Sequence, residues 1–590
     1  MKRDLKKQFF HAITNATEDT SYYSEIYLEE NLSTFSQRPM TFLMNLLKIR
    51  WYYQFPNPKK ELHLKDTKRT RWDNLYYRHK SFLVIPMLSK YNYLFTDVLG
   101  SLLLPTVSSK TLYKMVEKEL DLPGFAKVRE EYDRTEMPID AIYENVSVAF
   151  GTTITPKKEL ELFSRTLLIN PFIREILEGI AAQYTPIYAV IDSSYSPEYF
   201  KTLLEQLDIP FFSTIFTTGT EKKSVTKVAA QKMQQLERTL TQKEAYGCVF
   251  YSADYERLIR PLRKKGHSAL FYPKPARFLT RHDLPALSDS YDQVYRTLAG
   301  LSLYAGASHS PMYQTMVLYV TPVLYAILEE IHKLSESKKV VFVGSDRNLV
   351  LTLYQRFYGK VQVLEWSYIL SHPPYNGEDW KRILSQMPSL LHCSAEQLAY
   401  TMGGELPDYV IEKRLSQFYT DWEAVDVGTA LENRNCLSSY LTNLFSPKEP
   451  ILLVDLTEGG KSGKDACNLL HSLYPHSSLH YFSWWEMLEK TREIDKETLY
   501  SLDRIFRIDS PTLLGIRKDE EELTFQYLQP PFLPKGTEKH MLHIASSYIQ
   551  KMQHIAASSP YFPIPSKEEL CHMLNCGRQN LQQLREEYFL

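Results

Sequence analysis

Three aspartates and a lysine pair define the chemistry open to this chain. Asp97, Asp192 and Asp254 each end a short apolar run, Ser193 and Ser194 follow the second acid, and Lys222-Lys223 lies between the second and third. Carboxylates brought together repel one another unless a cation joins them. A hard divalent cation such as Mg²⁺, held by one or two carboxylates and a substrate phosphate, completes such a set. A lysine offsets phosphate charge, and a serine hydroxyl hydrogen-bonds phosphate oxygens. Convergence of these residues predicts a site suited to phosphoryl transfer.

The elements that must position them follow from hydrophobic patterning. Segments 91–97, 186–191, 211–216, 247–251 and 269–272 are near-continuous apolar runs, the pattern of strands buried on both faces. Helical periodicity fills the intervals, as with Leu112, Met115, Val116 and Leu120. Strands alternating with helices predict βαβ units and a parallel sheet, in which ligands gather at the carboxyl ends of the strands. The acids all sit at such ends. The expected fold is therefore α/β, a Rossmann-like parallel sheet with a helical cap at about 105–185. A second α/β region and helical N- and C-terminal segments accompany it. The expected division is 1–88 as a helical appendage, 89–275 as the first α/β domain and 276–335 as linker and helices. Residues 336–535 form the second α/β domain, and 536–590 the C-terminal helices. The Pro/Asp/Ser-rich stretch 273–292, with Asp289-Ser290-Tyr291-Asp292, reads as linker.

The phrase Asp97-Val98-Leu99-Gly100-Ser101-Leu102 resembles the first motif of the haloacid-dehalogenase-like hydrolases, Asp-x-x-Gly-Thr-Leu at the end of strand one. The resemblance implies that Asp97 is a nucleophile forming an aspartyl-phosphate, a covalent route that carboxylates support. It places Ser193 at the phosphate-binding hydroxyl, Lys222 or Lys223 at the conserved lysine, and Asp97 with Asp254 on Mg²⁺. Three positions depart from the family pattern. Leu99 stands where its phosphatases carry a general acid/base, Ala253 replaces the glycine before the last acid, and Leu258 replaces a second acid.

A second α/β region carries further candidates. A strand at 339–344 leads to Ser345-Asp346-Arg347-Asn348, and one at 451–455 ends on Asp455 before a loop holding Gly459, Gly460 and Ser462. A strand, a glycine-containing loop and then a helix is a setting in which backbone N–H groups cradle phosphate. It is not a P-loop, because the two possible registers need glycine at Asp455 or at Glu458. A phosphate loop and a plain tight turn both remain open. The two-region arrangement, over about 90–490, resembles predicted hydrolases of the same superfamily that occur with bacterial surface-polysaccharide glycosyltransferases. It implies a role in cell-surface polysaccharide or cell-wall glycan assembly, acting on a small phosphorylated metabolite such as a sugar phosphate. The alternative is a catalytically degenerate relative that serves as a binding or scaffold protein for a glycosyltransferase complex.

Composition bounds these readings. Lys+Arg 69 against Asp+Glu 70 gives a net charge of -1, which argues against a general nucleic-acid binder. The six cysteines are dispersed, as expected in a reducing compartment. With no secretory h-region and no apolar run of about 18 residues, the expectation is a cytoplasmic protein without a transmembrane segment. Residues 1–88 are basic and aromatic, with Arg50-Trp51-Tyr52-Tyr53 and Arg71-Trp72. Such stretches can bind nucleic acid or lipid headgroups; the reading adopted is a helical appendage packed on the next domain.

Overall fold

The computed structural model describes residues 38–54, 81–240, 247–271, 284–305, 310–344, 348–372, 450–457, 462–507, 512–519, 522–528 and 536–588. Short pieces between 275 and 460 are described as well. Two compact units are present. The first comprises Met1–Asp283, Ser288–Ala307 and Gln553–Pro563; the second comprises Leu284–Leu287, Ser308–Met552 and Ile564–Leu590. Most of the predicted appendage, residues 1–37 and 55–80, lies outside the described residues, as do Asp346, Arg347 and Gly459.

The first unit begins, among the described residues, with helix α1 (Pro39–Gln54). Its sheet is built from β1 (Tyr93–Thr96), β4 (Ile187–Ile191), β5 (Phe212–Thr217), β6 (Cys248–Ser252) and β7 (Ser268–Phe271). All neighbours pair in parallel, in the order β5-β4-β1-β6-β7. The apolar runs are these strands. β6 is buried at every position, whereas the edge strand β5 leaves Ser213 and Thr214 exposed. Rings on adjacent strands tie the centre of the sheet. Phe95 stacks on Tyr188 at 5.0 Å and on Phe250 at 6.5 Å. Burying each such side chain stabilises the fold by about 1.5–3 kcal/mol. The register so fixed pairs Thr96 with Ala189 on one side and Tyr251 on the other.

Between β1 and β4 the chain makes an excursion framed by a short antiparallel ribbon, β2 (Leu103–Pro105) against β3 (Leu167–Ile169). It holds α2 (Ser109–Leu120), α3 (Phe125–Glu131), α4 (Ile139–Phe150) and α5 (Lys157–Arg165). Ser108 caps α2 through the Thr111 N–H, and Leu112, Met115 and Val116 form its buried stripe. Two helices flank the sheet beyond it, α6 (Pro197–Gln206) and α7 (Val225–Glu237). The expected linker does not extend to 292. Asp289 to Asp292 open helix α8 (Asp289–Ala305), in which Tyr291 is fully buried. An apolar side chain spaced to join Val294, Tyr295 and Leu298 on one face recruits this polar stretch into a helix.

The second unit has a four-stranded parallel sheet, β8 (Lys339–Gly344), β9 (Gln362–Glu365), β10 (Ile451–Asp455) and β11 (Leu479–Ser483), in the order β11-β10-β8-β9. Helix α9 (Ser462–Leu473) follows β10. An antiparallel pair, β12 (Thr512–Asp519) and β13 (Glu522–Leu528), completes the strands described. The helical stretch Pro311–Leu334 is long and apolar enough to cross a membrane by length and composition, which the sequence reading did not anticipate; 78% of its most apolar window is buried inside the protein.

Candidate functional site

In an open α/β sheet, ligands bind where consecutive connections leave neighbouring strands in opposite directions. In the first unit the chain leaves β1 toward β4 and leaves β6 toward β7, so this crevice opens between the ends of β1 and β6. Two of the predicted acids flank it. Asp97 is the first residue beyond β1 and is buried; Asp254 stands two residues beyond β6 and is half-buried. The hydroxyl of Ser252 joins them, donating to Asp97 Oδ2 at 2.8 Å and accepting from the Asp254 N–H at 2.9 Å. Asp254 Oδ1 accepts from the Arg257 N–H at 3.0 Å, which closes a tight turn at the start of the π-helical segment Tyr255–Ile259. Ser101 anchors the other side by hydrogen-bonding the Asp97 carbonyl.

The third acid is held differently. Asp192 forms an ion pair with the exposed guanidinium of Arg257. β4 and β6 lie on either side of β1, so this pair links the two loops that flank the end of β1, beside Asp97. Ser193 is buried; its N–H donates to Thr218 Oγ1 at 2.9 Å and its hydroxyl accepts from the Tyr195 N–H at 3.1 Å. Thr218, just past β5, is the hub of this corner, lying 3.2 Å from Asp192 Oδ1 and 2.8 Å from the Thr135 carbonyl of the excursion. Gly219 is required beside it, because a Cβ there would stand 2.8 Å from the Ser194 carbonyl and 3.1 Å from that of Met137.

The excursion is fastened to this corner through a buried carboxylate. Glu159 on α5 accepts from Arg129 Nε and Nη2 on α3, from the Tyr143 hydroxyl on α4 and from the Tyr195 hydroxyl of the loop after β4, each at 2.9 Å. The Arg129 guanidinium lies over the Tyr113 ring at 4.4 Å. Burial pushes the Tyr195 phenol well above its ordinary value, the Glu159 charge adding to the effect. Tyr195 is three residues past Asp192, so the network ties the helices of the excursion to the loop that carries Asp192 and Ser193.

The lysines are placed apart from Asp97 in the described contacts. Lys222 is exposed in a left-handed conformation (φ 52°), and Lys223 is exposed with its ammonium on Gln231 Oε1 at 2.8 Å. Among the described residues, Arg257 brings a cation to the strand ends through its ion pair with Asp192. Sequence reasoning missed it, Thr218 and the bridging role of Ser252. Only the last carried a signal, as the hydroxyl immediately before Ala253-Asp254.

Among the described residues no group of three or more His, Cys, Asp and Glu side chains converges as a metal site, so a cation here would rest on two carboxylates. Asp97 and Asp254 are hard oxygen donors on neighbouring strand ends, and Mg²⁺ takes one or two carboxylates with water and phosphate oxygens completing its shell.

In the second unit the corresponding crevice lies between β8 and β10. Asp455, at the end of β10, is fully buried. Its Oδ1 accepts from the Thr457 N–H at 2.8 Å and the Thr457 hydroxyl at 2.6 Å, and its Oδ2 accepts from the Tyr481 hydroxyl at 2.6 Å. Burial pushes the carboxyl up to about 6, against the pull of these donors and of the Gly463 N–H. The loop is thus built around its own carboxylate, which sits at the N-terminus of α9 where a phosphate would otherwise bind. Gly460 (φ 62°) packs where a Cβ would come 2.3 Å from Trp485 Cβ, and Ser462 is buried in the first turn of α9.

No protein-family model matches this chain, and no curated protein matches it in sequence.

Proposed function

We propose that the first unit handles phosphoryl groups, hydrolysing or transferring a phosphoryl group of a small phosphorylated metabolite, with a sugar phosphate of surface-glycan assembly as the expected substrate class. The observation that carries this reading is the Ser252 hydroxyl joining Asp97 to the Asp254 turn at the crevice between β1 and β6. In this reading the Asp97 carboxylate attacks phosphorus in line. An acyl-phosphate bond forms, the bond to the leaving oxygen breaks, and water then cleaves the acyl-phosphate to return the carboxylate and inorganic phosphate. Mg²⁺ bound by Asp97 and Asp254 would neutralise charge on the phosphoryl oxygens. Ser252 holds the Asp97 carboxylate in one orientation. Arg257 pairs with Asp192 until a phosphate competes for its guanidinium; its ion pair at the strand ends supports giving it, in this reading, the phosphate-binding role expected of Lys222 or Lys223. Leu99 has no proton to give, so the leaving oxygen takes its proton from solvent and turnover is slow.

A second reading has its own support. Ala253 and Leu258 are buried apolar side chains where the resembling family carries a glycine and an acid, which favours a degenerate domain kept as a binding or scaffold module for a glycosyltransferase complex. A Mg²⁺-dependent phosphate-release screen over sugar phosphates and nucleotides separates the two. Activity that disappears in Asp97→Asn and shows a raised KM in Arg257→Gln supports the hydrolase. No activity in the wild type, with no Mg²⁺-induced change in melting temperature, refutes it and leaves the binding module.

A further inference from the structure

We infer that Ser559, acting through Glu119, is a positioning residue for the loop that carries Asp192 and Ser193, so that a segment near the C-terminus sets how the first unit grips a phosphate; the phosphate part rests on the reading proposed above. The chain returns to the first unit at Gln553–Pro563, although the segments before and after it, Ser308–Met552 and Ile564–Leu590, belong to the second. Ser558, Ser559 and Phe562 are buried in this returning segment. The Ser559 hydroxyl donates to Glu119 Oε1 at 2.7 Å, the length of a charge-assisted bond. It also accepts from the Tyr561 N–H at 3.2 Å, and the Lys118 ammonium lies 5.2 Å from the centre of the Tyr561 ring. The Ser559 bond, with Lys158 adding to it, holds the Glu119 carboxyl below its ordinary value.

Glu119 stands in the last turn of α2 and reaches the Tyr195 network by two routes. Its Oε2 lies 3.4 Å from the ammonium of Lys158, the residue before Glu159 on α5. That pair is partly exposed, and such pairs carry little by themselves. The second route is buried. Tyr113, earlier on α2, lies under the Arg129 guanidinium at 4.4 Å, and Arg129 holds Glu159 through two bonds of 2.9 Å. Less than two helical turns separate Tyr113 from Glu119, so fixing the end of α2 fixes the ring as well. From Glu159 the contact passes to the Tyr195 hydroxyl at 2.9 Å, and from the Tyr195 N–H to the Ser193 hydroxyl at 3.1 Å. A chain of packed and hydrogen-bonded side chains on stiff elements is the physical form that coupling between distant residues takes. Asp97, Ser252 and Asp254 hang from β1 and β6 and lie off this route. Loosening the Ser559 bond therefore weakens the hold on phosphate at Asp192, Ser193 and Arg257 and leaves the attacking carboxylate in place.

Amide hydrogen exchange in the full chain, wild type against Ser559→Ala, tests the positioning without reference to any activity. The expected result is exchange faster by about threefold or more across 109–120 and at Ser193 and Tyr195, with β6 unchanged. Ser559→Thr keeps the hydroxyl and is expected to restore the wild-type pattern. Where Ser559→Ala fails to fold, Glu119→Gln takes its place as a milder cut of the same bond, since a neutral acceptor roughly halves its strength. Acceleration confined to 109–120 and 553–563 overturns the inference, as does acceleration that includes β6 to the same degree. If the wild type releases phosphate, Ser559→Ala should raise KM by about threefold or more with kcat held within about twofold; a change in kcat alone overturns the inference. A wild type without activity sinks the phosphoryl reading instead, and the exchange at Ser193 and Tyr195 still decides whether Ser559 positions the loop.

Discussion

Replacing Gly463 by alanine sets two forces against each other. Gly463 lies in the first turn of α9, and helix propensity alone predicts that alanine there stabilises the protein by about 1 kcal/mol. Packing predicts the reverse. A Cβ at this position would stand 2.3 Å from Asp455 Cγ and 2.5 and 2.6 Å from its two oxygens. Ordinary contact begins near 3.4 Å, so the carboxylate must retreat by about 1 Å. It is pinned by Tyr481 at 2.6 Å and by Thr457 at 2.6 and 2.8 Å, and a shift of that size breaks at least two of these bonds. Each hydrogen bond to a charged group is worth about 1.5–3 kcal/mol. The net expectation is a loss of about 2–5 kcal/mol, read as a lower melting temperature and faster amide exchange across β10, the loop and α9. A double-mutant cycle isolates the cause: in an Asp455→Ala background the clash is gone, and Gly463→Ala becomes neutral or mildly stabilising. A Gly463→Ala protein as stable as the wild type, or the same loss in both backgrounds, refutes the view that the loop is built around this carboxylate.

Asp455 also makes the second unit sensitive to pH. A carboxyl raised to about 6 by burial binds its proton more tightly in the folded state than in the unfolded chain. Its contribution to stability is therefore full below the unfolded value near 4 and is lost as pH rises through about 6, a span of about 3 kcal/mol. Asp455→Asn should flatten the stability profile between about pH 4 and 7 relative to wild type; parallel profiles would contradict the assignment. In the first unit, Glu159→Gln leaves the buried Arg129 charge with only the more distant Asp133 carboxylate at 3.9 Å and should cost about 3 kcal/mol, whereas replacing the pair together by apolar residues of similar volume should cost much less. Chemical denaturation of the single and paired variants gives the comparison, and equal losses would show that charge pairing is not what holds the excursion.

Much of this architecture was legible in the sequence because parallel strands advertise themselves. The runs ending at Thr96, Ile191 and Ser252 are buried on both faces, so they read as unbroken apolar segments, and the acids that follow mark their ends. β11 was obscure for the opposite reason. Leu479–Ser483 is only partly covered, with His480 exposed, and its pattern is as compatible with loop as with strand. The site divided along similar lines. Asp97 and Asp254 could be named because they terminate strands, but a cation reaching across a strand end leaves no local signature. Arg257 meets Asp192 through folding of segments 65 residues apart, whereas Lys222-Lys223 drew notice by standing together and face solvent. The loop after β10 looked like a phosphate cradle because N–H groups at a helix start suit any anion, and here those of Thr457 and Gly463 meet the Asp455 carboxylate. Which anion fills it depends on where the Asp455 side chain turns, and that is a property of tertiary packing.

The β2–β3 ribbon has a consequence of a different kind. The Thr106 N–H meets the Thr166 carbonyl at 3.0 Å, and the Asn170 N–H meets the Leu102 carbonyl at 2.8 Å, so the excursion leaves the sheet and returns to it at one point. To the five strands it is a side branch: a tight turn joining Pro105 to Leu167 would close the same ribbon as a hairpin. The strand order and the strand ends carrying Asp97 and Asp254 owe nothing to what hangs from that stem. Helices α2 to α5 can accordingly be lengthened away from the sheet without changing strand order, whereas the parts that meet the loops after β4 and β5, Glu159 through Tyr195 and Thr135 through Thr218, are tied to the corner that holds Asp192 and Ser193.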